Sequence, residues 1–351
     1  MAFTRRGKLI VVVTIVLVVA IGAVVVVAAT GRGPEFVKKA AGTVGIADEP
    51  PPPPCPLTGE QAPGGRVPER PALAIKVENL PEARPQYGLD TADIVYEEPV
   101  EGGITRFIVI YQCRDANRVE PVRSARTTDP AILVQYGTPV FGYADAAGYV
   151  LNEVARVAAI DDVNWQKVPN AYQHDSSRTA PHDLYTSTKA LYKAAKKGLR
   201  PPEPVFTYAE EFPGVKARKA RDAHLYFSDY SDVRWKWKPA AGGSWLRYHG
   251  AAKHVVADDG QVRADNVLVQ VVDLKNSKHL DPAGNPVPEV QLTGTGKAFL
   301  LRDGQMITGK WARSPAENAT HFTTRSGQDF VLKPGTTWIE LYPSDRPKVT
   351  V

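Results

Sequence analysis

From Leu9 to Ala29 the chain runs 21 residues without a charge, LIVVVTIVLVVAIGAVVVVAA, and about 20 consecutive apolar residues are what a helix needs to cross a hydrocarbon core. No polar face interrupts the run, so it does not fit one side of a soluble amphipathic helix. Arg5, Arg6 and Lys8 precede it, whereas Arg32, Lys38 and Lys39 beyond it are diluted by Glu35. The positive-inside rule therefore places residues 1–8 in the cytoplasm, 9–29 in the membrane and everything after them outside. A cleaved secretory signal is the alternative. Signal cores, however, run to only ~7–15 apolar residues, and Ala28-Ala29 is a poor cleavage site. The expectation is a single-pass cell-membrane protein with extracytoplasmic C-terminal domains.

Residues 30–56 form a Pro-rich linker ending in five consecutive prolines, Pro50 to Pro54, then Cys55 and Pro56. Such a run stiffens into polyproline II at about 3.1 Å per residue and holds the C-terminal domains away from the membrane. Residues 1–56 also carry 6 basic and 3 acidic side chains, so the totals of 43 and 38 for the whole chain become 37 and 35 beyond them. A nucleic-acid partner needs a concentrated basic face. The one candidate lies between Lys189 and Arg221, where Lys193, Lys196, Lys197, Arg200, Lys216, Arg218, Lys219 and Arg221 crowd together; it reads as a solvated helix end and loop.

Two cysteines in an oxidising compartment either close one disulfide or stay as free thiols. Pairing of Cys55 with Cys113 is the expectation, and the long loop it would close is worth about 4 kcal/mol in the chain-entropy model. The seven histidines show no HExxH or other close ligand spacing, so neither a metal nor another cofactor is expected. GxSxG, SxxK and phosphate-loop signatures are missing too.

Length beyond the linker exceeds that of one compact domain, and composition changes at Arg200-Pro-Pro-Glu-Pro204. The fold class expected is α+β: a mixed α/β domain over 57–200, then a mostly-β domain over 205–351. In the first, Leu73–Glu78 reads as a strand, and Asp93–Val100 and Ile104–Tyr111 as a hairpin turning at Glu101-Gly-Gly103. Asp129 and Pro130 have the chemistry of a helix start, with a stop at Gly137. A second helix is expected from near Thr186 to Gly198, burying Leu184, Leu191, Ala194 and Ala195. In the second domain, strands are expected at Val233–Trp237, Trp245–Tyr248, Val267–Leu274, Lys297–Leu301, Met306–Trp311 and Trp338–Tyr342, with turns at Asp303-Gly304 and Ser326-Gly327.

Three polar segments carry the candidate chemistry: Glu101-Gly-Gly-Ile-Thr-Arg106, Pro121-Val-Arg-Ser-Ala-Arg126 and Arg178-Thr-Ala-Pro-His-Asp-Leu-Tyr-Thr-Ser187. A bend at Ser124-Ala125 would bring Arg123 and Arg126 to one side, just ahead of a helix. Arginine forks there suit carboxylate, phosphate or sulfate. Ion pairing with Glu97, Glu98 or Glu101 is the structural alternative. The candidate ligand-binding set is Arg106, Arg123, Ser124, Arg126 and Arg178. His182 is the candidate general acid or base, with Glu101 or Asp183 to orient it, against the commoner structural role of a lone histidine. Two functions are open to such a set: binding of an anionic wall polymer or envelope protein, or hydrolysis of a phosphodiester or glycosidic bond with His182 and Glu101 as the catalytic pair.

The same segments, with Pro56-Leu-Thr-Gly59, Arg84-Pro85-Gln86, Ala92-Asp-Ile-Val-Tyr-Glu97, Gly294-Thr-Gly-Lys-Ala298, Trp311, Ser314-Pro315 and Pro334-Gly335-Thr-Thr-Trp338, resemble the YerB-like family of bacterial lipoproteins. That resemblance implies an N-terminal mixed domain, a smaller C-terminal one and an envelope location, and it brings no established activity. Cys55 follows prolines rather than a lipobox, so the apolar segment stands in as the anchor.

Overall fold

The computed structural model describes residues 52–351 apart from 242, 259, 282–283 and 315–318. The expected membrane span, 9–29, lies outside the described residues, and among those described no helix is long and apolar enough to cross a membrane. Strands dominate and helices are few. The N-terminal part supplies β1 (Leu73–Glu78), β2 (Ile94–Pro99), β3 (Thr105–Tyr111), α1 (Asp129–Leu133), β4 (Val140–Gly142), α2 (Gly148–Arg156), β5 (Asp161–Asp162), β6 (Tyr172–His174), β7 (Leu184–Thr186) and α3 (Thr188–Ala194). The C-terminal part supplies β8 (Thr207–Tyr208), β9 (Ala217–Lys219), β10 (Asp222–Ser228), β11 (Ser231–Lys238), β12 (Ser244–His249), β13 (Ala252–Lys253), β14 (Arg263–Ala264) and β15 (Asn266–Val272). It then continues through β16 (Leu274–Leu280), β17 (Pro286–Val290), β18 (Gly294–Arg302), β19 (Gln305–Arg313), β20 (His321–Thr324), β21 (Val331–Leu332) and β22 (Thr337–Pro343).

The two parts share a sheet. Eleven strands run in the order β20-β19-β18-β15-β22-β2-β3-β1-β4-β5, with β9 added beside β19. The join is β22, parallel to β15 on one side and to β2 on the other. Successive strand residues point to opposite faces, and runs such as Leu73-Ala-Ile-Lys-Val are buried throughout, which requires cover on both sides. On one face Ile75, Val77, Val95, Phe107, Val109 and Trp338 pack against Leu225, Trp235 and Trp245 of the second sheet, β10–β14, and against Leu191 of α3. On the other, Ala74, Ile94, Tyr96, Ile108, Ile110 and Ile339 meet Ile132 and Leu133 of α1 and Val150 and Val154 of α2.

This alternation carries charge as well as hydrocarbon. Glu97 and Glu98 are adjacent on β2 and fully buried, so they point to opposite faces, and each needs its own cation. Glu97 pairs with Arg247 of β12. Glu98 pairs with Lys76 of β1, which also bonds Asp129 at 2.7 Å.

Two local expectations are corrected. Asp129 is not a helix cap: Thr128 precedes the helix, while the Asp129 carboxylate serves Lys76 and accepts the Arg126 N–H at 2.7 Å. A buried ammonium outcompetes helix-end amides for a carboxylate. The second helix is shorter than expected, because the Ser187 hydroxyl accepts from Ala190 N at 3.1 Å and starts it at Thr188, and the backbone is extended again at Ala195. Leu184 therefore belongs to β7, paired with His174 of β6.

Candidate functional site

At the start of β3, Arg106 sits between Glu78 of β1 and Glu98 of β2 in the strand register. Its side chain is buried. One Nη donates to the carbonyl of Ser124 at 2.9 Å, and its Nε finds no hydrogen-bond partner among the described residues. The hairpin turn just before it needs left-handed backbone at Gly102 (φ 69°) and Gly103 (φ 75°), which glycine adopts without strain. That turn holds Glu101 beside the arginine loop.

Loop 123–126 is fastened on both sides. Arg123 N donates to Lys76 O at 2.9 Å, Ala125 N to Asp145 O at 2.9 Å, and Ala144 N to Arg123 O at 3.0 Å. With the backbone fixed, Arg126 Nε meets Glu101 at 2.7 Å and one Arg126 Nη donates to Ala125 O at 2.8 Å. Arg123 Nε lies 3.0 Å from Glu78, an ion pair without an aligned hydrogen bond.

Glu101, Arg106, Arg123, Ser124 and Arg126 together line a cavity of about 520 Å³. Ile104, Tyr149, Val150, Leu280 and Val287 complete much of its wall, together with Asp145 and Asp281. Burial, followed by the charges of Arg126 and Arg123, pushes the Arg106 guanidinium down to about 9, against the opposing pull of Glu101 and Glu78. It stays cationic at neutral pH, in a place where its neighbours make cations costly.

Arg178 and His182 are not brought to this cavity. Arg178 donates to Ala83 O at 3.0 Å and Pro85 O at 2.5 Å and lies 3.6 Å from Glu120, bracing the loop after β1. His182 is oriented neither by Glu101 nor by Asp183, whose carboxylate pairs with His174 at 2.8 Å. Its Nδ1 lies 2.8 Å from Glu78, the carboxylate it shares with Arg123. Of the ion-pair partners open to the arginine loop, Glu101 is used, whereas Glu97 and Glu98 are taken by other cations.

Glu78 escaped sequence reasoning, although it ends the β1 run directly opposite Arg106. So did a second charged cluster on the other sheet face. There Arg247 bonds Glu97, His254 Nδ1 at 2.7 Å and His249 Nε2 at 3.1 Å, while His254 Nε2 meets Gln86 at 3.0 Å. Trp235 donates to Glu340 at 2.7 Å. Burial, then the adjacent Arg247, holds both imidazoles below the usual histidine range; burial and the neighbouring Glu97 raise Glu340.

Cys55 and Cys113 are joined in a disulfide, Cα to Cα 6.0 Å. Among the described residues no three His, Cys, Asp or Glu side chains stand together as metal ligands.

Comparison with known proteins adds three findings. Residues 57–200 match the N-terminal domain, and residues 223–339 the C-terminal domain, of the family described as "Protein of unknown function (DUF3048)". The "Putative lipoprotein YerB" of Bacillus subtilis (strain 168) is 28% identical over 298 residues, covering 82% of this chain and 86% of that protein. The crystal structure of YerB from Bacillus subtilis has a TM-score of 0.71 at 23% identity, covering 85% of this chain and 99% of that one, a likeness of fold.

Proposed function

The chain belongs to the DUF3048 family, and on that premise we propose that it is a membrane-anchored extracytoplasmic binding protein whose ligand carries an anion seated among Arg106, Arg123 and Arg126. The carrying observation is that three guanidinium side chains, Arg106, Arg123 and Arg126, line one cavity of about 520 Å³. A carboxylate or phosphate oxygen there accepts charge-assisted hydrogen bonds from guanidinium N–H groups and relieves the repulsion that Arg126 and Arg123 exert on Arg106. An anionic wall polymer or an acidic group on an envelope protein supplies such an oxygen. Anchoring fits the lipoprotein description of the relative, with one difference. The Cys55 sulfur is bonded to Cys113 and is not available to carry a lipid; in this reading the apolar segment 9–29 serves as the anchor instead. Full-length protein is then expected in the membrane fraction at unchanged mass.

Hydrolysis finds no support in this arrangement: the His182–Glu101 pair is not formed, and His182 is linked to the cavity lining indirectly, through Glu78 to Arg123. The test is calorimetric titration of full-length protein in nanodiscs with inorganic phosphate and with acetate. Saturable binding weakened at least tenfold in Arg106→Gln is expected. Unchanged affinity in a folded Arg106→Gln protein would falsify the reading.

A further inference from the structure

Resting on that anion site, we infer that the ligand is amphipathic: a carboxylate or phosphate carried on an apolar body that lies against the apolar residues lining the same cavity. Size gives the first reason. A cavity of about 520 Å³ corresponds to roughly 17 water molecules at ~30 Å³ each, several times the volume of a bare oxyanion. The wall gives the second. Ile104, Tyr149, Val150, Leu280 and Val287 line the same space as the guanidiniums, so a ligand that fills it meets hydrocarbon as well as charge.

Leu280 is the telling residue. It ends β16, whose preceding residues, Lys275-Asn-Ser-Lys-His279, are polar, and at 61% it is the most exposed of the four exposed large apolar side chains among the described residues. It lines the arginine cavity, and its neighbour fixes it there. The His279 ring stacks on Tyr149 with centroids 3.6 Å apart and planes 3° apart, holding the end of the β16–β17 arm against α2. On β17, Val287 turns into the same cavity and is 1% exposed.

Asp145 and Asp281 of the lining are already engaged. Asp145 Oδ1 accepts from Ala146 N at 2.7 Å and Gln166 Nε2 at 2.9 Å; Asp281 accepts from Asn285 N at 2.7 Å and Asn285 Nδ2 at 2.9 Å. These hydrogen bonds hold the two carboxylates in place against the neighbouring loops.

The test is titration of full-length protein in nanodiscs with inorganic, methyl, butyl and hexyl phosphate and, in parallel, acetate, butyrate and hexanoate, with empty nanodiscs as the blank. A buried methylene is worth roughly three- to fourfold in affinity, so hexyl phosphate should bind at least tenfold more tightly than methyl phosphate. The two series decide between phosphate and carboxylate heads. In Leu280→Ser, an exposed position that the fold tolerates, the hexyl-to-methyl ratio should fall at least threefold. Equal affinity along both series overturns the amphipathic ligand while leaving the anion site standing. A ratio unchanged in Leu280→Ser overturns the assigned wall. If neither series binds at all, the anion site itself is wrong.

Discussion

The two surface arginines of the cavity have the same kind of partner and different consequences on removal. Arg123 shares Glu78 with His182, so Arg123→Ala leaves that carboxylate with a hydrogen-bond partner. Arg126 is the only cation paired with Glu101 among the ion pairs of the described residues, and Arg126→Ala leaves a nearly buried carboxylate alone. Breaking a buried pair from one side costs about 3–5 kcal/mol, and the side-chain exposure of 17% for Arg126 puts this case at the low end, ~3 kcal/mol. Urea unfolding should therefore show a loss of about 1 kcal/mol or less for Arg123→Ala and ~3 kcal/mol for Arg126→Ala. Equal losses would show that His182 does not hold Glu78. The arginines were legible in the sequence because they cluster beside Gly and Pro; their partners were not. Glu78 becomes a partner only once β1 and β3 are in register, and one residue of slip would put it on the other face.

At the scale of elements, apolar runs located the strands, and what they missed was where a strand leaves the sheet. Val267–Leu274 reads as one strand, yet β15 ends at Val272 and β16 begins a separate arm at Leu274. Asp273 turns the chain: its carbonyl accepts Gln291 N at 2.9 Å, and its carboxylate takes the Ser344 hydroxyl. No periodicity announces that exit, and with it went Leu280 and Val287. The Cys55–Cys113 bond ties another kind of element, the first described residues after the proline run, to the end of β3. It closes a separation of 58 residues, for which the chain-entropy relation gives about 4 kcal/mol. Cys55→Ser with Cys113→Ser should lower unfolding free energy by that amount at unchanged fold. A loss under ~1 kcal/mol would mean that the Cys55 segment packs as well without the bond.

Across the whole molecule, the two-part composition was visible in the sequence, and the joint between the parts was not, because it depends on β22 returning beside β2 over more than 200 residues. The joint is electrostatic as well as hydrogen-bonded: Glu97 from β2, Arg247 from β12 and Glu340 from β22 meet there, and His254 links Arg247 to Gln86. Its histidines give the joint a pH dependence of definite sign. Burial and Arg247 hold His254 well below its usual value, so the folded protein does not take up a proton that the unfolded chain binds below about pH 6.5. Stability is full above that pH and is lost as pH falls through it, at about 1.4 kcal/mol per pH unit for this one group. Raised carboxylates act the other way. Burial lifts Asp93 to about 6 and Glu98 and Glu340 above their usual range, so the unfolded chain releases those protons first, and stability falls as pH rises from about 4. The histidine contribution is therefore isolated by difference. In His254→Gln the amide can still accept from Arg247 and donate to Gln86, but it cannot titrate. Urea midpoints from pH 7.5 to 5 should then show wild type losing about 1.4 kcal/mol per unit more than His254→Gln below pH 6.5, with the two curves parallel above it. Parallel curves over the whole range would mean that His254 is protonated in the folded protein, and that the joint carries one more positive charge beside Arg247 than its hydrogen bonds imply.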